Sequence, residues 1–334
     1  MKTERLRAEV REDVARAAEL LRAGGVVAFP TETVYGLGAN ALDAGAVAKI
    51  FAAKERPKWD PLIVHVDGRA MVSRVARLGE DEVGRRVAAL MDAFWPGPLT
   101  LLLPRTEAVP DAVTAGRELV GVRMPRHAVA RELIGLAGMP VAAPSANRFG
   151  HTSPTTAEHV LADLDGRIDA VLDGGATEVG VESTVLDVGA MAIYRPGAIT
   201  AAMMASMLGC EVRVVGSVVE DTAGGLASPG MGMRHYAPRA RLVLVADQAE
   251  MLRAIGEAGP EVGVMLPDGW DAGDAGAIFR WGTWGAAEVL ARWLFAGLRM
   301  LDERGVKVIV CPVPEMGGLG EALRDRLEKA ARSK

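Results

Sequence analysis

Hydroxyl and basic side chains recur at the ends of the strands predicted in the first half of the chain. The stretch "FPTETVYGLG" (29–38) opens as a buried strand and then places Thr31 and Thr33 before two glycines. Similar side chains close or begin later predicted strands, namely His65, Arg123, His127, Ser145, Asn147, Ser183, Thr184 and Arg195. In layered α/β folds, ligands bind where strands run out into loops, because backbone N–H groups and short side chains converge there. We therefore expect one shared, hydroxyl-lined pocket.

A cluster of cations in "KERPK" (54–58) lies just before another predicted strand. Lysine supplies a point charge and arginine a bidentate fork, so Lys54, Arg56 and Lys58 predict a phosphate site. Lys54 also has a structural interpretation, since a cation in the last turn of a helix complements the helix dipole. Lysine is far rarer than arginine in this chain, which favours a specific role for the pair.

Several common catalytic motifs are absent from the sequence, which narrows the classes of reaction that it could catalyse. The chain has no GxxxxGK[ST], no GxGxxG after a strand, no HExxH and no GxSxG. Cys210 and Cys311 are far apart and form no CxxC, so a zinc site or a disulfide framework is not indicated. A basic pocket without an evident nucleophile or acid–base pair suits phosphoryl or nucleotidyl transfer, which depends on positioning and charge stabilisation.

The elements that position these residues alternate between helix and strand. Helices are predicted over 10–21, 43–54, 126–137 and 156–165, with Asp43 as an N-cap and a capping box at Thr155–Glu158. Beyond residue 239, three strands alternate with helices at 247–258, 284–302 and 319–331. We expect a layered α/β domain over 1–215, a Gly- and Pro-rich linker over 216–239, and a smaller α/β domain over 240–334.

Composition sets outer bounds on function. The chain has 334 residues, of which 50% are hydrophobic, and a net charge of −5, so an overall electrostatic attraction to nucleic acid is not indicated. The charged N-terminus lacks the apolar stretch of a signal peptide, and no run reaches membrane-spanning length. We expect a cytoplasmic protein without a membrane partner.

Eight motifs in order resemble the YrdC/Sua5 family. They are "PTETVYGLG", "KERP", "PLIVH", "FWPGPLT", "VGVRMPRH", "APSANRFG", "ESTV" and "YRPG". "SPGMGMRHYAP" (228–238), followed by a small α/β domain, resembles the longer Sua5 type. The resemblance implies a YrdC-like twisted mixed sheet flanked by helices, followed by a Rossmann-like domain. It also implies that L-threonine, bicarbonate and ATP give threonylcarbamoyl-AMP and pyrophosphate, the first stage of t6A modification at position 37 of tRNA.

The same resemblance implies residue roles. The L-threonine contacts would be Thr33, His65, Arg123, Ala143 and Ser183, with Arg123 pairing with the carboxylate. The ATP contacts would be Lys54, Arg56, Asp60, Leu119, Ser145, Asn147, Ser153, Arg195 and His235. We expect Lys54 and Arg56 to be catalytic and Mg²⁺ to accompany ATP, with no metal ligands assigned. Two residues depart from the family pattern, because Asp60 replaces a usual asparagine and Phe149 a usual serine.

Two other interpretations remain open at this point. The same face of the sheet could bind RNA without catalysis. The net negative charge and the 4% aromatic content count against this interpretation, because RNA binding commonly uses cations and stacked aromatic rings. The protein could instead be a related enzyme that forms a carbamoyl-adenylate with a different acceptor or that hydrolyses ATP. The segment 228–238 is either a loop that closes over the ligand or a solvated linker. Partner proteins of a tRNA pathway are expected in the synthase case, and direct tRNA binding is undecided.

Overall fold

The computed structural model describes residues 2–215 and 236–332. His235 and most of the predicted linker therefore lie outside the described residues. The strands of the first domain are β1 (Glu4–Arg7), β2 (Val27–Phe29), β3 (Gly36–Asn40), β4 (Ile63–His65), β5 (Leu99–Pro104), β6 (Leu119–Arg123), β7 (Val141–Ala142), β8 (Ala170–Asp173), β9 (Thr184–Asp187), β10 (Ala192–Arg195) and β11 (Arg213–Val214). Its helices are α1 (Arg11–Arg22), α2 (Ala44–Lys54), α3 (Arg69–Val72), α4 (Glu82–Phe94), α5 (Asp111–Thr114), α6 (Ala128–Ala137), α7 (Ala157–Leu164) and α8 (Ala201–Leu208).

Local capping explains where two of the predicted helices begin. Asp43 accepts hydrogen bonds from the amides of Gly45 and Ala46, so it caps α2 as predicted. The capping box predicted at Thr155–Glu158 is wrong, because α7 begins one residue later. Thr156 is the N-cap of α7 and accepts from the amide of His159. Adjacent threonines offer the same hydroxyl, and the sequence alone does not decide between them.

The first domain is built on a mixed sheet whose strands run in the order β1-β8-β2-β3-β7-β4-β6-β5-β9-β10-β11. Val64 and Val122 belong to the large apolar core shared with the helices. Their strand neighbour Ile63 instead joins a small cluster with Leu102 and Val185. Because successive side chains alternate between the faces of a sheet, the two clusters lie on opposite faces. Helices thus cover one face, and the expected mixed sheet is confirmed.

The second domain has four strands, β12 (Arg241–Val245), β13 (Val262–Pro267), β14 (Ala277–Gly282) and β15 (Val308–Pro312). All three pairings in the order β12-β15-β13-β14 are parallel. Its helices are α9 (Gln248–Ala258), α10 (Ala287–Glu303) and α11 (Leu319–Ala331). α9 packs in one apolar cluster, while α10 and α11 pack in another, so helices cover both faces of the sheet. This is the expected Rossmann-like arrangement.

The two domains share an apolar core. Val34 and Val181 of the first domain pack in one cluster with Leu294 and Phe295 of α10. Gly180 has a φ of +82°, and a Cβ there would lie 2.3 Å from the carbonyl oxygen of Ala291, so only glycine permits this approach. The second domain therefore packs directly beside the strand ends that carry the predicted ligand contacts. Over residues 2–215 and 236–332, none of the helices is both long and apolar enough to cross a membrane.

Candidate active site

A pocket on the sheet face opposite the helices brings together most of the predicted ligand contacts. Its lining includes Thr31, Thr33, Arg56, His65, Arg123, Ala143, Ser145, Ser183 and Arg195. The mixed sheet explains why they converge. Strands β4 and β6 are parallel, and their register places His65 beside Arg123. Strands β9 and β10 are antiparallel, so the start of β9 lies beside the end of β10 and brings Ser183 next to Arg195. The predicted shared pocket is present.

The hydroxyls of Thr31 and Thr33 form a hydrogen-bond relay with Arg123. Arg123 Nη1 donates to Thr33 Oγ1 at 2.9 Å, and Thr31 Oγ1 donates to the carbonyl oxygen of Val34 at 2.7 Å. The two threonine hydroxyls lie 2.8 Å apart. Since a hydroxyl has one proton, Thr33 must donate to Thr31. Thr33 is thereby left with only acceptor capacity toward a ligand.

Arg123 is held by a buried acid that sequence reasoning missed. Glu32 is fully buried, and its Oε1 lies 2.7 Å from Arg123 Nη2. Burial alone would raise the pKa of Glu32, but the charge and hydrogen bond of Arg123 hold that pKa below its ordinary value. Arg123 Nε also donates to the carbonyl oxygen of Gly97 at 3.3 Å. With five donor hydrogens in the guanidinium, Arg123 keeps capacity for a ligand carboxylate.

His65 is a neutral imidazole in this pocket. Burial, together with the charge of Arg123, lowers the pKa of His65 to about 3. Its ring packs edge-on against Phe29, and within the described residues its Nδ1 has no hydrogen-bond partner. At neutral pH His65 can therefore orient a ligand through a hydrogen bond but cannot act as a general base for an acid of ordinary strength.

Ser183 and Arg195 form the opposite wall. Arg195 donates through Nε to the Ser183 carbonyl oxygen at 3.0 Å and through Nη2 to its hydroxyl at 3.1 Å. The Ser183 hydroxyl also lies 2.8 Å from that of Thr100. Arg195 is buried and lines the pocket, and its two hydrogen bonds to Ser183 fix the orientation of its guanidinium. Such a preorganised cation suits binding of an anion.

Lys54 is not among the pocket-lining residues. Its ammonium is fully buried and donates to the carbonyl oxygens of Ser145 and Asn147. Burial and the nearby charge of Arg56 place the pKa of Lys54 well below its ordinary value. Lys54 thus fixes the loop that carries Ser145, and its predicted contact with ATP stays a prediction. Asn147 also lies outside the lining, and its amide donates to the carbonyl oxygens of Arg148 and His151.

Arg56 reaches the pocket with its charge already paired. It forms a 2.9 Å ion pair with Asp60 and donates to the carbonyl oxygens of Asp60 and Pro61. Asp60 is fully buried and does not line the pocket. The acid that departs from the family pattern is therefore neutralised by Arg56 and does not repel a polyphosphate. The other departure, Phe149, packs edge-on against Trp59 at 5.9 Å between ring centroids.

Leu119 lies on the same sheet face as Arg123 but outside the pocket lining. The two residues are four apart on β6, a separation of about 13 Å at the rise of a strand. Leu119 packs with Ile63, Leu102, Val185 and Tyr194 in an apolar strip that adjoins the polar pocket. An elongated ligand with an anionic end and a flat apolar end would match this face of the sheet, which changes from polar to apolar between Arg123 and Leu119.

A second buried acid, Glu182, lines the pocket. Its Oε1 accepts a hydrogen bond from the hydroxyl of Ser153, which is itself fully buried. Ser153 lies outside the pocket lining, and its predicted contact with ATP stays a prediction. Because its hydroxyl has donated its proton to Glu182, Ser153 has only acceptor capacity left. Tyr236, the first described residue after the gap, also lines the pocket. Sequence reasoning missed the role of Glu182, although it lies within the "ESTV" motif, as Glu32 lies within "PTET".

The part of the chain that the structure describes supplies no evident metal site. Among residues 2–215 and 236–332, no group of three His, Cys, Asp or Glu side chains is arranged to hold a metal ion. The acids nearest the pocket, Glu32, Asp60 and Glu182, are each paired with an arginine. The donor set therefore fits a metal that is held mainly by phosphate oxygens and water.

Comparisons with known proteins define the family. The model of the Sua5/YciO/YrdC family, whose description is telomere recombination, matches residues 19–197. A second model, described as threonylcarbamoyl-AMP synthase, C-terminal domain, matches residues 199–332. The chain belongs to the Sua5/YrdC family, as the ordered motifs predict. The predicted boundary at residue 215 stays a prediction, although β11 extends the first sheet to Val214.

Two relatives match nearly the whole chain. A threonylcarbamoyl-AMP synthase of Pyrococcus abyssi is 42% identical over 94% of this chain and 93% of its own length. A threonylcarbamoyl-AMP synthase of Bacillus subtilis is also 42% identical, over 99% of this chain and 98% of its own. A crystal structure of P. abyssi Sua5 complexed with L-threonine matches with a TM-score of 0.90 at 41% identity, covering 99% of this chain and 98% of that one.

Proposed function

We propose that this protein is a threonylcarbamoyl-AMP synthase. L-threonine and bicarbonate would form a carbamate with loss of water, and a carbamate oxygen would attack the α-phosphorus of ATP while pyrophosphate leaves. The observation that carries the proposal is the convergence of Thr33, His65, Arg123, Ala143 and Ser183 in one pocket. The full-length match to relatives of that name supports it.

The electrostatics of the pocket suit this reaction. A carbamate is already anionic at neutral pH, so its attack on phosphorus needs alignment and charge compensation more than a strong base. His65 is neutral at that pH, and no described pocket residue is a base poised near pH 7. Arg56 and Arg195 are buried cations facing the pocket, where a developing phosphate charge is stabilised most strongly.

The two ends of the pocket suggest how the substrates lie. Arg123 and Thr33 would receive the carboxylate and a polar N–H of the threonine part, while Arg195 and Arg56 would face the phosphates. The apolar strip that ends at Leu119 would accept the adenine ring. We propose that Mg²⁺ accompanies ATP, where it would be held mainly by the nucleotide and water and would offset the charge of the phosphates.

The product is a mixed anhydride and needs an acceptor. We propose that partner proteins of the tRNA t6A pathway receive threonylcarbamoyl-AMP, and that the cytoplasm, where ATP is available, is the compartment. Direct tRNA contact is not required by the pocket described above.

Pyrophosphate release with each substrate omitted in turn tests the proposal. The complete mixture should release pyrophosphate, whereas omission of L-threonine, bicarbonate or ATP should each abolish release. Release that persists without L-threonine would instead indicate an ATP-hydrolysing enzyme or a different acceptor. No release from any mixture, together with RNA binding, would favour the non-catalytic alternative.

A further inference from the structure

The second domain places a buried arginine directly behind Glu182, a residue that lines the pocket. Arg326 lies on α11 and is fully buried, yet its Nε donates to Glu182 Oε2 at 2.8 Å, across 144 residues of sequence. The other oxygen of Glu182 accepts the Ser153 hydroxyl. Arg326, Glu182 and Ser153 thus form one hydrogen-bonded chain that links the second domain to the pocket through Glu182, which lines it.

Arg326 is itself firmly held. Its Nη1 lies 2.6 Å from Asp325 Oδ2, and Lys329 Nζ lies 2.7 Å from the other oxygen of Asp325. The guanidinium also stacks 5.2 Å from the ring centre of Tyr236, and that ring packs against Phe295 at 5.7 Å. A charge that is buried and fixed in this way defines the position of whatever it binds.

Glu182 depends on this arginine for its charged state. Burial alone would raise the pKa of Glu182, but Arg326 and Arg195 hold it below its ordinary value. Without Arg326, Glu182 would be a buried acid with less compensation, which favours protonation or rotation of the carboxyl group. Rotation would remove the acceptor of the Ser153 hydroxyl, and protonation would weaken that hydrogen bond, because a neutral carboxyl group is a poorer acceptor than a carboxylate.

A second arginine of the same domain holds the residue next to Ser153. Arg299 of α10 donates to the carbonyl oxygen of Thr152 and pairs with Asp163 at 2.7 Å. The Ser153 side chain is therefore held by Glu182, which Arg326 holds in turn, and the neighbouring backbone is held by Arg299. Both contacts come from the domain that does not carry the predicted substrate residues.

We propose that Arg326 is a positioning residue for the nucleotide, acting through Glu182 on Ser153, so that the second domain is part of the ATP site. This inference rests on the proposed function for the identity of the nucleotide and on the predicted contact between Ser153 and ATP, since Glu182 lines the pocket and Ser153 lies behind it. It predicts an effect on ATP and little effect on L-threonine, because Thr33, His65 and Arg123 are held by contacts within the first domain.

Steady-state kinetics of Arg326→Met test the inference. We expect the KM for ATP to rise about ten- to a hundredfold, the range for losing a hydrogen bond to a charged group, while the KM for L-threonine stays within about twofold. Arg324→Met is the matched control, because Arg324 lies on the same helix but donates to Pro314 within its own domain. It should leave both constants unchanged. Arg326→Lys should recover part of the ATP affinity.

The double variant Glu182→Gln/Arg326→Met separates positioning from general damage. If Arg326 acts through Glu182, the double variant should bind ATP no more weakly than Arg326→Met alone. Equal rises in both KM values, or additive losses in the double variant, would overturn the inference. Thermal unfolding of each variant identifies a folding defect, and in that case Arg326→Lys carries the test.

Direct binding keeps this test independent of the proposed reaction. Titration of the intact protein with α,β-methylene-ATP, whose α–β link is not cleaved, should show the same loss for Arg326→Met. A parent protein that binds the analogue but releases no pyrophosphate would overturn the proposed function and leave the role of Arg326 measurable. Unchanged analogue binding in a folded Arg326→Met variant would overturn the role of Arg326.

Discussion

Replacement of Arg123 tests how the pocket is divided between the substrates, but the single replacement is a poor probe. Arg123→Met leaves Glu32 buried without its ion-pair partner, and breaking a buried pair in this way costs about 3–5 kcal/mol of stability. The double variant Glu32→Gln/Arg123→Met removes both charges and avoids that penalty. Glu32→Gln alone is the control, because Arg123 keeps its contacts with Thr33 and Gly97.

The magnitude follows from the loss of one charge-assisted contact. A hydrogen bond to a charged group contributes about 1.5–3 kcal/mol, so the double variant should bind L-threonine about ten- to a hundredfold more weakly than Glu32→Gln does. Binding of α,β-methylene-ATP should change by less than about threefold, since Arg56 and Arg195 are untouched. Isothermal titration with each ligand measures both constants. Equal losses for the two ligands, or unchanged L-threonine binding in a folded double variant, would refute the assignment of Arg123 to the threonine carboxylate.

Three further predictions follow from the buried charges. Compared with the single variant Asp60→Asn, the double variant Arg56→Met/Asp60→Asn should have a KM for ATP that is about tenfold higher or more. Equal kinetics of the two folded variants would contradict a role for Arg56 in phosphate binding. Lys54→Met should lower the free energy of unfolding by about 2–6 kcal/mol, because two buried carbonyl oxygens lose their donor. Urea unfolding measures this loss, and an unchanged unfolding curve would indicate that Lys54 only binds phosphate. His65 has a folded pKa of about 3, below its unfolded value, so the unfolded chain binds more protons and stability falls as the pH drops below about 6.5. Between pH 7 and 5 the parent should therefore lose about 2 kcal/mol more than His65→Gln, and identical losses would contradict the low pKa of His65.

Local signals in the sequence predict much of the fold. The apolar periodicity over 10–21 and the Asp43 cap identify α1 and α2 within a residue. The apolar runs at 61–66, 99–103 and 119–124 predict the strands that the structure shows as β4, β5 and β6. No such run predicts β1 or β3. β1 is charged and β3 is rich in glycine, so each depends on pairing with distant strands and carries little signal of its own.

The pocket is predicted from sequence only in part, for a related reason. His65 and Arg123 can be assigned to the pocket because each is a polar residue that directly follows an apolar run typical of a buried strand. Glu32 and Glu182 could have been noticed as acids within the motifs, but their partners lie far along the chain. Arg326 stands in an ordinary amphipathic helix, and nothing in its neighbourhood indicates that α11 packs beside the pocket. Contacts between domains are set by tertiary packing, which no local pattern encodes.

Product analysis with labelled bicarbonate tests the central claim most directly. The protein would be incubated with L-threonine, ATP, Mg²⁺ and ¹³C-bicarbonate, and the nucleotides identified by mass spectrometry. If a threonine carbamate attacks the α-phosphorus, the labelled carbon should appear in a threonyl-carbamoyl adduct of AMP, in step with the pyrophosphate released. Formation of ADP and phosphate, or of AMP without the labelled carbon in any adduct detected at early times, would contradict the account.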